Sequence, residues 1–316
     1  MILEKNEISQ NIEKTSAIAS WSGFVYQGKV ALYHIIKMLS ENTLNADDYL
    51  KLEHLDDFAI FNNNHQAISV HQVKATQKNY RSAYEKALSD AVDVYSDHCN
   101  EDTQRYFHVS VNLDDFSAYC DKGTEVIFYQ YHNKNQYLAL DEIDSFIKEM
   151  IVKYVDSQEK LHNSTELVDY KFSKLNTLID SKVNFIHAAN QSTSASQYQA
   201  ADENPVSIAE IIACLESEIV DFGDESYILE IFRAKFISIM DGFIDCSTLS
   251  DEDFIEIAKC RRHISGFDNE TLKKLFFSID PDLSPKNKTM TLLRFPLNLL
   301  IRRSHYEKAL HRRTNH

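Results

Sequence analysis

Residues 52–74 read LEHLDDFAIFNNNHQAISVHQVK, the one stretch where acidic, amide and lysine side chains recur at strand spacing around a recognisable turn. Phe58 and Ile60, then Ala67, Ile68, Val70 and Val73, form two short apolar runs separated by Asn62, Asn63, Asn64, His65 and Gln66. That spells two strands joined by a turn. Side chains alternate across a strand, so Glu53, Leu55 and Asp57 are expected on one face of the first, and Ile68, Val70, Gln72 and Lys74 on one face of the second. A loop of residues 63–66 pairs Asn62 with Ala67, and the same register sets Asp57 opposite Gln72 and Leu55 opposite Lys74. An acid, an amide and a lysine then converge on one surface. A slip of one residue turns Gln72 and Lys74 to the face opposite Asp57.

Outward from this hairpin, SGFVYQGKVALYHIIKMLS from Ser22 repeats apolar residues at three- and four-residue intervals, which predicts a helix that Ser20 or Ser22 can cap. Residues 42–48 read as a turn and residues 79–98 as a second amphipathic helix. Two further strands are expected at 105–111 and 125–131, around a loop with Asp114, Asp115 and Gly123. A helix over 141–155 closes the pattern. The order suits an α/β domain with a mixed sheet flanked by helices, expected over residues 1–158. The polar segment NQSTSASQYQAADENP at 190–205 reads as a linker or a long loop. Beyond it, residues 208–219, 226–241, 250–260, 269–277 and 290–303 read as helices, so residues 159–316 are expected to form a mainly helical second domain.

Of the 316 residues, 43% are hydrophobic and 26% charged, with six Gly and four Pro, a globular composition. No stretch approaches the roughly 18 apolar residues of a membrane span, and MILEKNEISQNIEK at the start is polar, so a cytoplasmic protein is expected. Five cysteines at 99, 120, 214, 246 and 260 stand far apart, which fits reduced, mostly buried thiols. No P-loop or G-x-G-x-x-G occurs, which argues against ATP binding by this chain. Cys260 and His263 have metal-ligand spacing without a second pair, and His98–Cys99 lacks an orienting third group. The net charge of −15 excludes a broadly basic nucleic-acid surface. Residues 301–316 run against this trend, with five Lys/Arg against one acid. Arg302, Arg303, Lys308, Arg312 and Arg313 therefore either contact phosphates or an acidic partner, or form a solvated terminus.

Taken singly, an Asp or Lys on a strand is ordinary solvated surface. Asp56 is expected to be such a residue, with its side chain directed away from Asp57, and His71 to pack or hydrogen-bond. The joint pattern carries more. Asp57 can hold a hard divalent cation, with Gln72, the Val73 carbonyl and Glu53 as further oxygen ligands. Lys74 is then placed to orient a metal-bound water or stabilise charge growing on phosphorus.

GFVYQ (Gly23–Gln27) opening a helix, LEHLDD (Leu52–Asp57) and HQVK (His71–Lys74) together resemble the PD-(D/E)XK nuclease superfamily, in the Mrr-like variant with Gln for the second acid. The resemblance, over roughly residues 20–130, is to the double-stranded DNA endonuclease domain of CD-NTase-associated effectors. That domain also occurs in the nuclease subunit of Lamassu and related ABC-three-component antiviral defence systems. It implies a restriction-endonuclease-like fold, Mg2+ or Mn2+ as cofactor, and Asp57, Gln72 and Lys74 as catalytic residues, with Gln27 at a supporting helix position. It also implies double-stranded DNA as substrate, an SMC-like ATPase and an accessory subunit as partners, and homo-oligomerisation when active. The expected activity is metal-dependent DNA endonucleolysis in antiviral or anti-plasmid defence. The alternative is a catalytically inactive nuclease-fold scaffold that assembles with the ATPase, and a third option is a helical adaptor whose hairpin is plain structure.

Overall fold

The computed structural model describes residues 17–94, 97–158, 164–192, 196–218, 225–244 and 251–279. The helix expected at 290–303 and the basic residues Arg302, Arg303, Lys308, Arg312 and Arg313 lie outside the described residues. Contacts divide the chain into two compact units, Met1–Glu218 and Ile219–His316.

The first unit opens with α1 (Ala17–Ser40), followed by β1 (Tyr49–Leu52), β2 (Phe58–Phe61) and β3 (Ala67–Lys74). A 3-10 turn at Arg81–Tyr84 leads to α2 (Glu85–Asp93), β4 (Gln104–Val109), β5 (Tyr119–Asp121) and β6 (Thr124–Phe128). Then come α3 (Ile143–Ser157), α4 (Thr165–Ser192), α5 (Gln197–Asp202), β7 (Val206–Ser207) and α6 (Ile208–Leu215). The strands form one mixed seven-stranded sheet, β5-β6-β4-β3-β2-β1-β7. β7, β1, β2 and β3 run antiparallel, while β4 is parallel to β3 and β6 to β4. A parallel neighbour needs a crossover, and the 3-10 turn with α2 supplies it between β3 and β4.

Phe58 faces His71, Ala59 faces Val70 and Ile60 faces Ser69, the register expected from the loop length. A bulge then moves Phe61 onto Ala67 and leaves Ile68 as the extra residue. The Asn62 N–H donates to the Gln66 carbonyl, and its side-chain oxygen accepts from the N–H groups of Asn64 and Gln66, so the asparagine closes the loop.

The chain ahead of β2 departs from expectation. Leu52 pairs with Phe58, and the Glu53 N–H donates to the Asp57 carbonyl at 2.8 Å, so residues 53–57 form a turn between two strands. Glu53, Leu55 and Asp57 therefore do not share a strand face, and Leu55 does not stand opposite Lys74. Leu55 is buried against Ala59, Phe61, Ala67 and Val70 instead. A second unexpected hairpin joins β5 to β6 through Lys122 and Gly123, both at positive φ (53° and 82°), as a tight two-residue turn requires.

Helices cover both faces of the sheet. On one, α1 packs with α3, and its Val30–Ile36 segment is buried throughout, in a core that reaches α4, α5 and α6. A Cβ on Gly28 would lie 2.9 Å from Ile179 Cγ2, so this glycine lets α4 approach α1. On the other face Leu88, Ala91 and Val92 of α2 meet Phe107, Val109, Val126 and Phe128. Within the main core lie three imidazoles: His71 is 2.9 Å from His108 and 2.8 Å from Ser69 Oγ, while His34 and His108 bond the hydroxyls of Tyr129 and Tyr131. Desolvation pushes all three below the usual imidazole range, so they serve as neutral packing groups.

The polar segment at 190–205 is not a plain linker. Its α4 portion extends to Ser192, Ala200 and Ala201 of α5 are fully buried, and Val206 follows in β7 beside Leu50 of β1. The first unit accordingly runs to Glu218, past the boundary expected at 158, because three small apolar residues close the sheet edge and the core. The second unit is helical in its described residues: α7 (Glu225–Ile244), α8 (Asp251–Gly266) and α9 (Asn269–Ile279). Leu229, Phe232, Phe236, Ile237, Met240, Ile264 and Leu272 make its core, and Arg233 donates to the carbonyls of Ile264 and Ser265 near the end of α8. Cys120 and Cys260 are exposed and Cys99 and Cys214 half-buried, wetter than expected, while Cys246 lies outside the described residues. Among the described residues no helix is long and apolar enough to cross a membrane.

Ile211 in α6 is fully buried in the core that includes α1. Ile211→Ala should destabilise the first unit by about 2–5 kcal/mol, as much as Leu32→Ala in α1. Hydrogen exchange of β2 and β3 amides reads this; unchanged protection there with Ile211→Ala would separate α6 from the sheet domain.

Candidate active site at the ends of β2 and β3

The polar cluster sits where β2 begins and β3 ends, outside the carboxyl end of a strand whose neighbours run in opposite directions. In open α/β sheets ligands commonly bind at such positions. Asp57 is held on both oxygens. Gln27 Nε2 of α1 donates to Oδ1 at 2.6 Å and the Val73 N–H donates to Oδ2 at 2.5 Å, while Lys74 Nζ stands 3.9 Å from Oδ2. The N–H and carbonyl of one strand residue point to the same edge, so the Val73 carbonyl faces the side on which Asp57 lies.

Gln72 does not bond Asp57. Its Nε2 donates to Asp56 Oδ1 at 2.8 Å, and its Oε1 is buried without a hydrogen-bond partner among the described residues. Asp56, expected to be solvated and directed away, therefore joins the cluster. The physical reason is the turn: Glu53, Leu55 and Asp56 have φ of 57°, 53° and 107°, so strand alternation fails there. Side-chain-bearing residues resist this region, at a cost of about 1–3 kcal/mol each, and such outliers concentrate at functional sites. Glu53 lies in the turn itself, half-buried, with its backbone rather than a shared strand face linking it to Asp57.

The turn is braced from the far edge of the sheet. Lys51 of β1 pairs with Asp202 of α5, and its ammonium lies 4.9 Å from the Phe61 ring centre. His54, at 1% exposure, packs with its ring centre 4.3 Å from that of Tyr198 in α5, tilted by 32°, and with Nε2 3.5 Å from Asp202. A short helix from the apparent linker thus holds the residues just before Asp56.

The model of C-terminal domain 1 of the ABC-three component (ABC-3C) systems matches residues 126–311, well over half of the chain. The chain belongs to this ABC-3C family. No curated protein and no solved structure gives a match. The site residues 27–74 of this ABC-3C protein lie outside the matched span, so the family assignment and the site geometry are independent observations.

Burial governs the charges of the cluster. Desolvation raises the Asp57 carboxyl, opposed by the Lys74 charge and the Val73 N–H. Asp56 is pushed up to about 7, first by burial and then by the Asp57 charge, with Lys74 and Gln72 acting against the shift. Among the described residues no group of three or more His, Cys, Asp or Glu is arranged to hold a metal, so a cation here would draw on two carboxylates plus neutral oxygens. The Gln72 oxygen, without a hydrogen-bond partner among the described residues and on the amide that donates to Asp56, fits that donor set. Asp56 was invisible to strand alternation; the polar doublet Asp56–Asp57 directly before an apolar strand was its only trace.

A raised carboxyl binds its proton more tightly in the folded than in the unfolded chain, so stability falls as pH rises from about 4 to about 7. Asp56→Asn keeps the acceptor for Gln72 and removes this penalty. In EDTA it should be more stable than wild type above pH 7, on the order of 2 kcal/mol given partial contact with water, and equal below pH 4. Denaturant midpoints across pH test this, and the difference between variants cancels the histidine contributions. A constant difference would refute it.

Proposed function

We propose that the first unit is a restriction-endonuclease-like, Mg2+- or Mn2+-dependent DNA endonuclease domain of the PD-(D/E)XK kind, acting as effector of an ABC-three-component antiviral or anti-plasmid defence system. The observation that carries this reading is the Lys74 ammonium 3.9 Å from the half-buried Asp57 carboxylate, near a Gln72 amide oxygen that has no hydrogen-bond partner among the described residues. Asp57, Gln72 and the Val73 carbonyl would hold the cation, with Glu53 at the rim. The cation, when bound, supplies a nucleophile by lowering the pKa of water and offsets charge on the phosphoryl oxygens. Lys74, 30% exposed at its side chain, is placed to meet the scissile phosphate and to stabilise charge growing on it. Gln27 and the Val73 N–H fix the Asp57 carboxylate and so preset its position before substrate arrives.

The acidic chain fits an enzyme whose DNA affinity depends on others. With a net charge of −15, a second copy or a basic partner subunit would supply the phosphate contacts. The family places the protein in a system of several components, and an SMC-like ATPase with an accessory subunit is the partner set proposed here.

One observation favours the scaffold alternative: both Asp57 oxygens already accept hydrogen bonds, which a cation would have to displace or share. Plasmid cleavage decides between them. With Mg2+ or Mn2+, alone and with partner subunits, wild type should cut, and Lys74→Ala and Asp57→Ala should lose about 10²-fold or more in rate. Equal cleavage by wild type and both variants would sink the enzymatic reading.

A further inference from the structure

Consecutive residues enter one site because the turn before β2 is not a strand. Asp57 precedes Phe58 in the regular register, whereas Asp56, at φ 107°, presents its carboxylate to Gln72 Nε2 at 2.8 Å. The Lys74 charge acts on both carboxyls, and each raises the question of what neutralises the pair. Gln72 supplies the pointer to a ligand. The residue is 8% exposed and its amide nitrogen is fixed on Asp56, yet its Oε1 has no hydrogen-bond partner among the described residues. The open oxygen belongs to the same amide that holds the Asp56 carboxylate, and a buried acceptor is ordinarily satisfied by a water or a cation when the fold supplies no donor.

We propose that Asp56 is the second carboxylate ligand of the divalent cation, making up for the neutral side chain at position 72. Asp56, Asp57 and Gln72 Oε1 then form a compact oxygen set for one hard cation, with two negative charges and one neutral donor. Gln72 has a double role, orienting Asp56 through Nε2 and donating to the cation through Oε1. The acid that strand β3 lacks is delivered by the neighbouring turn. This inference rests on the metal-dependent reading of the same site.

The test is Mn2+ binding to the full chain without DNA, followed by the loss of the free-ion electron paramagnetic resonance signal at fixed pH. Asp56→Asn, Asp57→Asn and the double variant Asp56→Asn/Gln72→Glu are compared with wild type, with Glu101→Gln as an exposed control that removes one negative charge. Circular dichroism confirms folding of each, and Asp56→Asn is isosteric. Asp56→Asn should weaken Mn2+ about tenfold or more, comparably to Asp57→Asn, while Glu101→Gln leaves it unchanged. The double variant should recover most of the lost affinity, because the new carboxylate stands at the same site. If Asp56→Asn binds as wild type while Asp57→Asn does not, this inference falls and the metal-dependent reading stands. A double variant as weak as Asp56→Asn also overturns it. Absence of saturable binding by wild type overturns both.

Discussion

Helix α1 has no wet side along Val30–Ile36, and that constraint sets most of the first unit. A helix buried all round must be wrapped, so the sheet takes one side while α3 and α4 take the others. Gly28 permits a close approach of Ile179 from α4. The same rigid helix carries Gln27 one turn ahead of the buried segment, which makes its hydrogen bond to Asp57 a consequence of core packing rather than of a flexible loop. His34, on the buried segment, locks to Tyr129, and its ring sits 4.4 Å from His71, so the helix and β3 share a neutral polar seam. Neutral imidazoles suit such a seam because they can hydrogen-bond to Ser69, Tyr129, Tyr131 and one another without the cost of a buried charge.

Stability is given up where the chemistry is proposed. Residues 53–57 hold three side-chain-bearing residues at positive φ, and two adjacent carboxyls stand in partly dry surroundings. Both features oppose folding and persist because the flanking pairs Leu52–Phe58 and Phe58–His71, the buried Leu55, and the Lys51–Asp202 brace over-determine the turn. Strain supported in this way places charge in a fixed geometry before any ligand arrives, which is the general logic of a preorganised site.

The family match and the site occupy different parts of the chain. The matched span, 126–311, begins inside β6, takes in helices α3 to α6 of the sheet unit, and continues through the helical second unit. A C-terminal domain of a three-component system is therefore built partly from elements that complete the core of the first unit. Its shared portion, α4 to α6 with β7, closes the sheet edge beside β1 and braces the turn before Asp56. Sequence change in that shared portion would thus reach the candidate site through Asp202 and Tyr198, without touching the site residues themselves.

What the sequence determined by itself was local: a helix with a three-to-four apolar period over α1, a strand pair whose loop length set Phe58 against His71, a mixed sheet from the order of elements, and helices in the described residues beyond 225. These rest on periodicity and turn length, which neighbouring residues carry. Tertiary structure alone decided the rest. β7 is a strand because β1, far away in sequence, pairs it, and Ala200 and Ala201 are core because a polar segment folds back over the sheet. Asp56 entered the site, and Leu55 left the face of Lys74, because a turn closed by Leu52 and Phe58 drives the backbone out of the extended region. Alternation along a strand holds only while the strand lasts, and where it ends is set by contacts that local sequence does not contain.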